Sequence, residues 1–144
     1  MRGILFVCAI FVALNSSSQE PVNWEFSFDN EFDNLTMKAT LDEGWYLYSQ
    51  SINEDIGPVP TTFQFIANKS YQIIGNTIEP ESLTKYDSNF NSELNFFEKE
   101  VVFEQKIENV DAEFVYGSVT YMVCNGMMCL PPTDLEFIIQ LNKQ

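Results

Sequence analysis

Cys124 and Cys129 bracket four residues in the segment Tyr121-Met122-Val123-Cys124-Asn125-Gly126-Met127-Met128-Cys129-Leu130-Pro131-Pro132. Two sulfurs at this spacing have three uses: thiol-disulfide exchange, a local staple, or part of a metal site. Asn125-Gly126 is a strong hairpin-turn signal, so the cysteines should face each other across a tight connection, within bridging distance. Pro131-Pro132 stiffens the exit and withholds backbone donors from a neighbouring strand. A bridge closing a loop of about six residues removes only roughly 2 kcal/mol of unfolded-state entropy, against about 4 or more for one that ties a whole sandwich together. At a loop tip beside Met127 and Met128, the pair is better placed for attack by another thiolate than for holding a core. Zinc wants four ligands, and two sulfurs in a chain with no His make a poor site, so no metal and no cofactor are expected.

The absence of His also removes Ser-His-Asp and Cys-His nucleophilic machinery and the usual neutral-pH proton shuttle. Against 21 Asp and Glu the chain has only 7 Lys and Arg, a formal charge of −14, and the basic residues are scattered singly. That leaves no cationic stripe for a phosphate backbone, which argues against nucleic acid as a partner and against docking on anionic lipid. Aromatic residues make up 15% of the 144, too much for a disordered acidic tail, so a packed core is expected.

Met1-Arg2-Gly3, the apolar run Ile4 to Leu14 and the small polar residues Asn15-Ser16-Ser17-Ser18 follow the order of a secretory signal peptide. The run has eleven residues, too few for a membrane span of about 20. Residues 1–18 are therefore expected to be removed, taking Cys8 with them, and 19–144 to form one exported domain with no direct membrane insertion. The surviving even pair of cysteines would then sit where disulfides persist.

Strands must position that pair. Val22, Trp24, Phe26 and Phe28 alternate with Asn23, Glu25 and Ser27, and Leu35, Met37, Ala39 and Leu41 repeat the period of two. Asp42-Glu43-Gly44 should turn the chain into a short aromatic strand, Trp45-Tyr46-Leu47-Tyr48. Gly57-Pro58-Val59-Pro60 is a stiff breaker, followed by strands at Thr62 to Ile66 and Tyr71 to Ile74. From Glu79 to Asn95 the alternation lapses, which predicts a long loop carrying Tyr86 and Phe90. Further strands are expected at Val101 to Ile107, Phe114 to Met122 and Leu135 to Leu141. About eight short strands without helical periodicity point to an all-β chain, an antiparallel immunoglobulin-like β-sandwich.

Four stretches carry a resemblance: Gly44-Trp45-Tyr46-Leu47-Tyr48-Ser49-Gln50, Gly57-Pro58-Val59-Pro60-Thr61-Thr62-Phe63, Lys85-Tyr86-Asp87-Ser88-Asn89-Phe90, and Tyr121 through Pro132 with both cysteines. In order and spacing the chain resembles the N-terminal periplasmic domain of the thiol:disulfide interchange protein DsbD. The resemblance implies a periplasmic module, possessing the activity of a protein-disulfide reductase component. Its cysteine pair would receive electrons from a membrane-embedded thiol reductase and hand them to oxidised thioredoxin-like proteins. It implies that Cys129 forms the mixed disulfides, that Cys124 resolves them, and that an aromatic cap, here Phe90, covers the pair. The chain is then expected to be either a stand-alone module that borrows electrons from a separate protein or a relative that has kept the fold for another purpose.

A thiolate needs nearby positive charge or a helix N-terminus, and neither is evident. With Asp87 and Glu93 on the expected cap loop, Cys129 should react slowly until a partner activates it, and control should be steric. Tyr46 and Tyr48 share one face of their strand and would wall the disulfide or fill the sandwich core; Phe90 would be the cap or another core aromatic. The competing function is an immunoglobulin-like protein-binding module whose disulfide is inert.

Overall fold

The computed structural model describes residues 20–53, 55, 57–109 and 111–141; the expected export signal lies outside them. In chain order the strands are β1 (Val22–Asp29), β2 (Asn34–Leu41), β3 (Tyr46–Tyr48), β4 (Thr62–Phe65), β5 (Tyr71–Ile78), β6 (Leu83–Asp87), β7 (Ser92–Glu98), β8 (Glu100–Asn109), β9 (Phe114–Tyr121), β10 (Val123–Cys124) and β11 (Thr133–Gln140). Among the described residues there is no helix, and every strand pairing is antiparallel.

Period-two alternation builds the sandwich as expected. Leu35, Met37 and Ala39 of β2 are fully buried, and Ala39 lies opposite Trp24 of β1, the small side chain making room for the large one. One sheet runs β1-β2-β8-β5 and the facing one β11-β9-β4. Between them Phe103 is fully buried against the rings of Trp24, Phe63 and Phe97, at 6.0, 5.0 and 5.8 Å. Such ring pairs add about 0.5–1.5 kcal/mol each beyond the area they bury. Asp42 to Trp45 form the expected turn: Trp45 N–H donates to the Asp42 carbonyl at 3.1 Å, with Gly44 at φ +83 in the position that requires glycine.

Gly117 of β9 is a tight point of this core. A Cβ there would stand 2.6 Å from the Gln64 carbonyl oxygen and 2.6 Å from Phe137 Cζ. Gly117→Ala should therefore cost about 1–3 kcal/mol, seen as a lower urea midpoint at unchanged slope. An unchanged midpoint would mean that both the Gln64 backbone and the Phe137 ring give way freely.

A third sheet, β10-β3-β7-β6, carries the cysteines. It grows out of both others. The chain passes from β7 into β8 through Lys99 at φ +65, and from β9 into β10 across Met122 alone, so each sandwich sheet extends one strand into it. Strand β3 joins the two extensions, pairing Tyr46 with Glu98 on one side and Cys124 on the other. The site is thus tied to the rigid core through continuous backbone.

The expected long loop between Glu79 and Asn95 is instead the hairpin β6–β7. It escaped the alternation test because Leu83, Thr84, Lys85 and Tyr86 are all exposed, so β6 has no buried face to impose a period. The hairpin is held by its ladder and by the Thr84 hydroxyl donating to Asn95 Oδ1 at 2.7 Å. Strand β5 likewise continues past Ile74 to Ile78 through a bulge at Gly75, φ +70. Buried Gln105 fills the irregularity: its amide donates to the Ile74 and Lys106 carbonyls, and it accepts from Thr77 Oγ1.

Candidate functional site

Cys124 and Cys129 form a disulfide with Cα atoms 4.0 Å apart, bridging the ends of the Asn125–Met128 loop. Leu130 N–H donates to the Val123 carbonyl and Asn125 N–H to that of Met128. The Asn125 side chain completes the turn, its Oδ1 accepting the N–H groups of Met127 and Met128 at 2.9 Å each. Asn125-Gly126 does mark a tight connection, but Asn125 closes it with a side-chain bond, and Gly126 needs no positive φ. Met127 stands 88% exposed at the tip, whereas Cys124 is 0% exposed and Cys129 half-buried. Of the two cysteines, only Cys129 keeps exposed surface.

Beneath the disulfide lies a small cluster, separate from the sandwich core, of Tyr46, Tyr48, Leu94, Phe96 and Cys124. Strand alternation sends Leu47 into the main core and Tyr46 and Tyr48 to this side, their rings edge to face at 5.6 Å. Both hydroxyls converge on Asp87, which closes β6 and is 4% exposed. Tyr48 Oη stands 2.6 Å and Tyr46 Oη 2.9 Å from Asp87 Oδ2, while Asp87 Oδ1 accepts the Asn89 N–H at 2.8 Å. Tyr48 Oη is also 3.2 Å from Cys124 Sγ.

The protonation states follow. Burial acts to raise the Asp87 carboxyl, but the bonds from Tyr48, the Asn89 N–H and Tyr46 outweigh it and hold it below the usual carboxylate range. Burial and then the bond to Asp87 push the Tyr48 hydroxyl far above its ordinary value, and the same causes raise that of Tyr46. At neutral pH the site therefore holds one buried carboxylate and two tyrosine O–H donors. Among the described residues, no group of three or more Cys, Asp or Glu side chains stands where it could hold a metal ion.

The other expected residues take different places. Phe90 is half-buried, packs against this cluster, and meets the Tyr48 ring edge-on at 5.9 Å. Ile52, Met122 and Cys129 pack on the same cluster. Glu93 is exposed on β7 opposite Tyr86, outside the hydrogen-bonded set. A cation does reach the tyrosine wall: Lys85 Nζ lies 5.3 Å from the Tyr46 ring centroid and 4.8 Å from that of Phe96.

Sequence reasoning missed Asn89 and the role of the Asn125 side chain. Asn89 Nδ2 lies 3.2 Å from Tyr46 Oη and 3.2 Å from the Asn125 carbonyl, so it ties the β6–β7 turn to the cysteine loop. Only the general affinity of Asn for turns could have flagged it.

Comparisons with known proteins agree on the architecture. The family described as thiol:disulfide interchange protein DsbD, N-terminal, matches residues 16–140. Among solved structures, the DsbD N-terminal domain of Neisseria meningitidis in the reduced form is 18% identical, covering 85% of this chain and 87% of that one, with a TM-score of 0.64. The complex between the DsbD N-terminal and PilB N-terminal domains of the same organism aligns at 16% identity over 83% and 82%, TM-score 0.61. The N-terminal periplasmic domain of ScsB from Proteus mirabilis is 21% identical over 85% of this chain but only 46% of its own, TM-score 0.60. Likeness at these identities shows the fold, an immunoglobulin-like sandwich. No curated protein matches in sequence.

Proposed function

Since the chain belongs to the DsbD N-terminal domain family, we propose that it is a thiol-disulfide exchange module of the periplasm. It carries electrons through Cys124 and Cys129 from a membrane-embedded thiol reductase to oxidised thioredoxin-like proteins, and residues 1–18 export it. The observation that carries this reading is the asymmetry of the sulfurs: a half-buried Cys129 bonded to a fully buried Cys124 at an exposed tip. A relative's solved complex pairs a DsbD N-terminal domain with a PilB N-terminal domain, which supports a protein rather than a small molecule as partner.

In the loading step a donor thiolate attacks Cys129 Sγ, the Cys124–Cys129 bond breaks, and Cys124 leaves with the electron pair and takes up a proton. The departing sulfur lies 3.2 Å from Tyr48 Oη, whose O–H is held by Asp87 Oδ2 at 2.6 Å, and the proton it takes up comes from the donor's second thiol. The donor's second thiol then attacks the mixed disulfide, forming the donor's own disulfide and leaving both cysteines reduced. Unloading runs the same exchange onto a partner disulfide, so the two electrons and two protons taken up in loading are passed on to the partner. Exposed Met127 and Met128 give an adaptable apolar contact beside the attacked sulfur, suited to partners of different shape.

A redox titration of the mature protein, with thiols trapped by alkylation, tests this reading. A potential in the range of exchange proteins, above about −300 mV, is expected. A lower potential, together with resistance to reduced thioredoxin-type proteins, would make the disulfide structural and the domain a binding module.

A further inference from the structure

We propose that Gly57 is a positioning residue for the cysteine pair: it is the seat on which the Phe90 ring rests, and because that ring packs on the same cluster as Cys124 and Cys129, its seat sets how readily the sulfurs are uncovered. The proposal rests on the exchange reading and adds to it a second chain segment. A Cβ at Gly57 would stand 2.1 Å from Phe90 Cδ1, 2.9 Å from Cε1 and 3.0 Å from Cγ. The ring therefore fills the space where a side chain would be. With Tyr48 meeting that ring at 5.9 Å, Phe90 is held between Gly57 and the tyrosine wall.

The seat is fixed at both ends. On the near side Ser49 is fully buried, its N–H donating to the Asn95 carbonyl at 3.0 Å and its hydroxyl to Glu79 Oε1, while Gln50 N–H donates to Glu79 Oε2 at 2.9 Å. On the far side the Thr61 hydroxyl donates to the Tyr48 carbonyl at 2.6 Å, and Pro58 and Pro60 are buried. Gly57 itself is exposed, at φ +153. A methyl added there meets the Phe90 ring before anything else, and the ring is what must move.

The test uses the oxidised full chain as Gly57→Ala, Phe90→Ala and the double variant. Their disulfides are reduced by excess dithiothreitol, with alkylation for the rate and thermal melts for the fold. An edge-on ring contact is worth roughly three- to tenfold in an equilibrium, so Gly57→Ala should speed reduction by about that factor, as Phe90→Ala does. The double variant should be no faster than Phe90→Ala alone. An unchanged rate in Gly57→Ala, or a further acceleration in the double variant, overturns the proposal. Should Gly57→Ala fail to fold, the double variant, which lacks the ring, decides: a rate equal to that of Phe90→Ala supports the seat, and a higher one removes it. The exchange reading itself fails on another observable, the equilibrium potential, so the two failures are separable.

Discussion

Cys124→Ala is expected to accumulate a covalent complex with an oxidised thioredoxin-type protein, and Cys129→Ala to accumulate none. Burial separates the two sulfurs: Cys124 has no exposed surface, while Cys129 sits on the exit of a loop whose tip residue, Met127, is 88% exposed. A free Cys129 thiolate attacks the partner's disulfide and holds it as a mixed disulfide; in the wild type Cys124 then attacks Cys129 Sγ and releases the reduced partner. Removing Cys124 removes release from this side, so the complex survives on a non-reducing gel after alkylation. Removing Cys129 leaves a thiol enclosed by Tyr46, Tyr48 and Phe96, where a protein-borne disulfide has no approach. Equal trapping by both variants would sink the assignment of roles. If neither traps and both only lose roughly 2 kcal/mol of stability, the value for a loop of about six residues, the bridge is a staple.

The same burial explains what was legible in the sequence. Strands β1, β2, β9 and β11 each put one face in the core, so period two exposed them, and the cysteines announced themselves by type and by the Asn-Gly between them. Strand β6 has two wet faces, and nothing in Leu83-Thr84-Lys85-Tyr86 distinguishes it from a loop. Asp87 reads in the sequence as a charge on the cap loop beside the cysteines, but its burial is not legible there, because it depends on three partners brought from β3 and the following turn. Gly57 read as a breaker; that its missing side chain makes room for a ring 33 positions away is a tertiary fact. Local pattern finds elements and reactive atoms, whereas the groups that hold those atoms are found only once distant segments meet.

Asp87 should therefore carry more stability than any other acidic side chain of the site sheet, and in a pH-dependent way. Asp87→Ala takes the carboxylate acceptor from the hydroxyls of Tyr46 and Tyr48, which are 5% and 0% exposed, and leaves them only the longer contacts to the Asn125 carbonyl and to Cys124 Sγ, at 3.2 Å each. A hydrogen bond to a charged group is worth about 1.5–3 kcal/mol, so losing two of them should cost about 3 kcal/mol or more, at or above the cost of overpacking at Gly117. Asp87→Asn keeps the shape and one acceptor oxygen for both hydroxyls but loses the charge and turns its NH2 toward the Asn89 N–H, so its loss should fall between those of wild type and Asp87→Ala. The sign with pH follows from the direction of the shift. The folded carboxyl lies below its ordinary value of 3.8, so the unfolded chain takes up the proton first as acid is added. The stability linked to ionised Asp87 is fully present above that ordinary value and is lost as pH falls through the lower folded one. Because other carboxylates also titrate there, the readout is a difference: urea midpoints of wild type and Asp87→Asn should lie furthest apart near neutrality and converge as pH falls through the lowered folded value. Midpoints that fall in parallel through the acid range would show that the Asp87 charge contributes nothing, leaving the two tyrosine hydroxyls to be held by neutral acceptors alone.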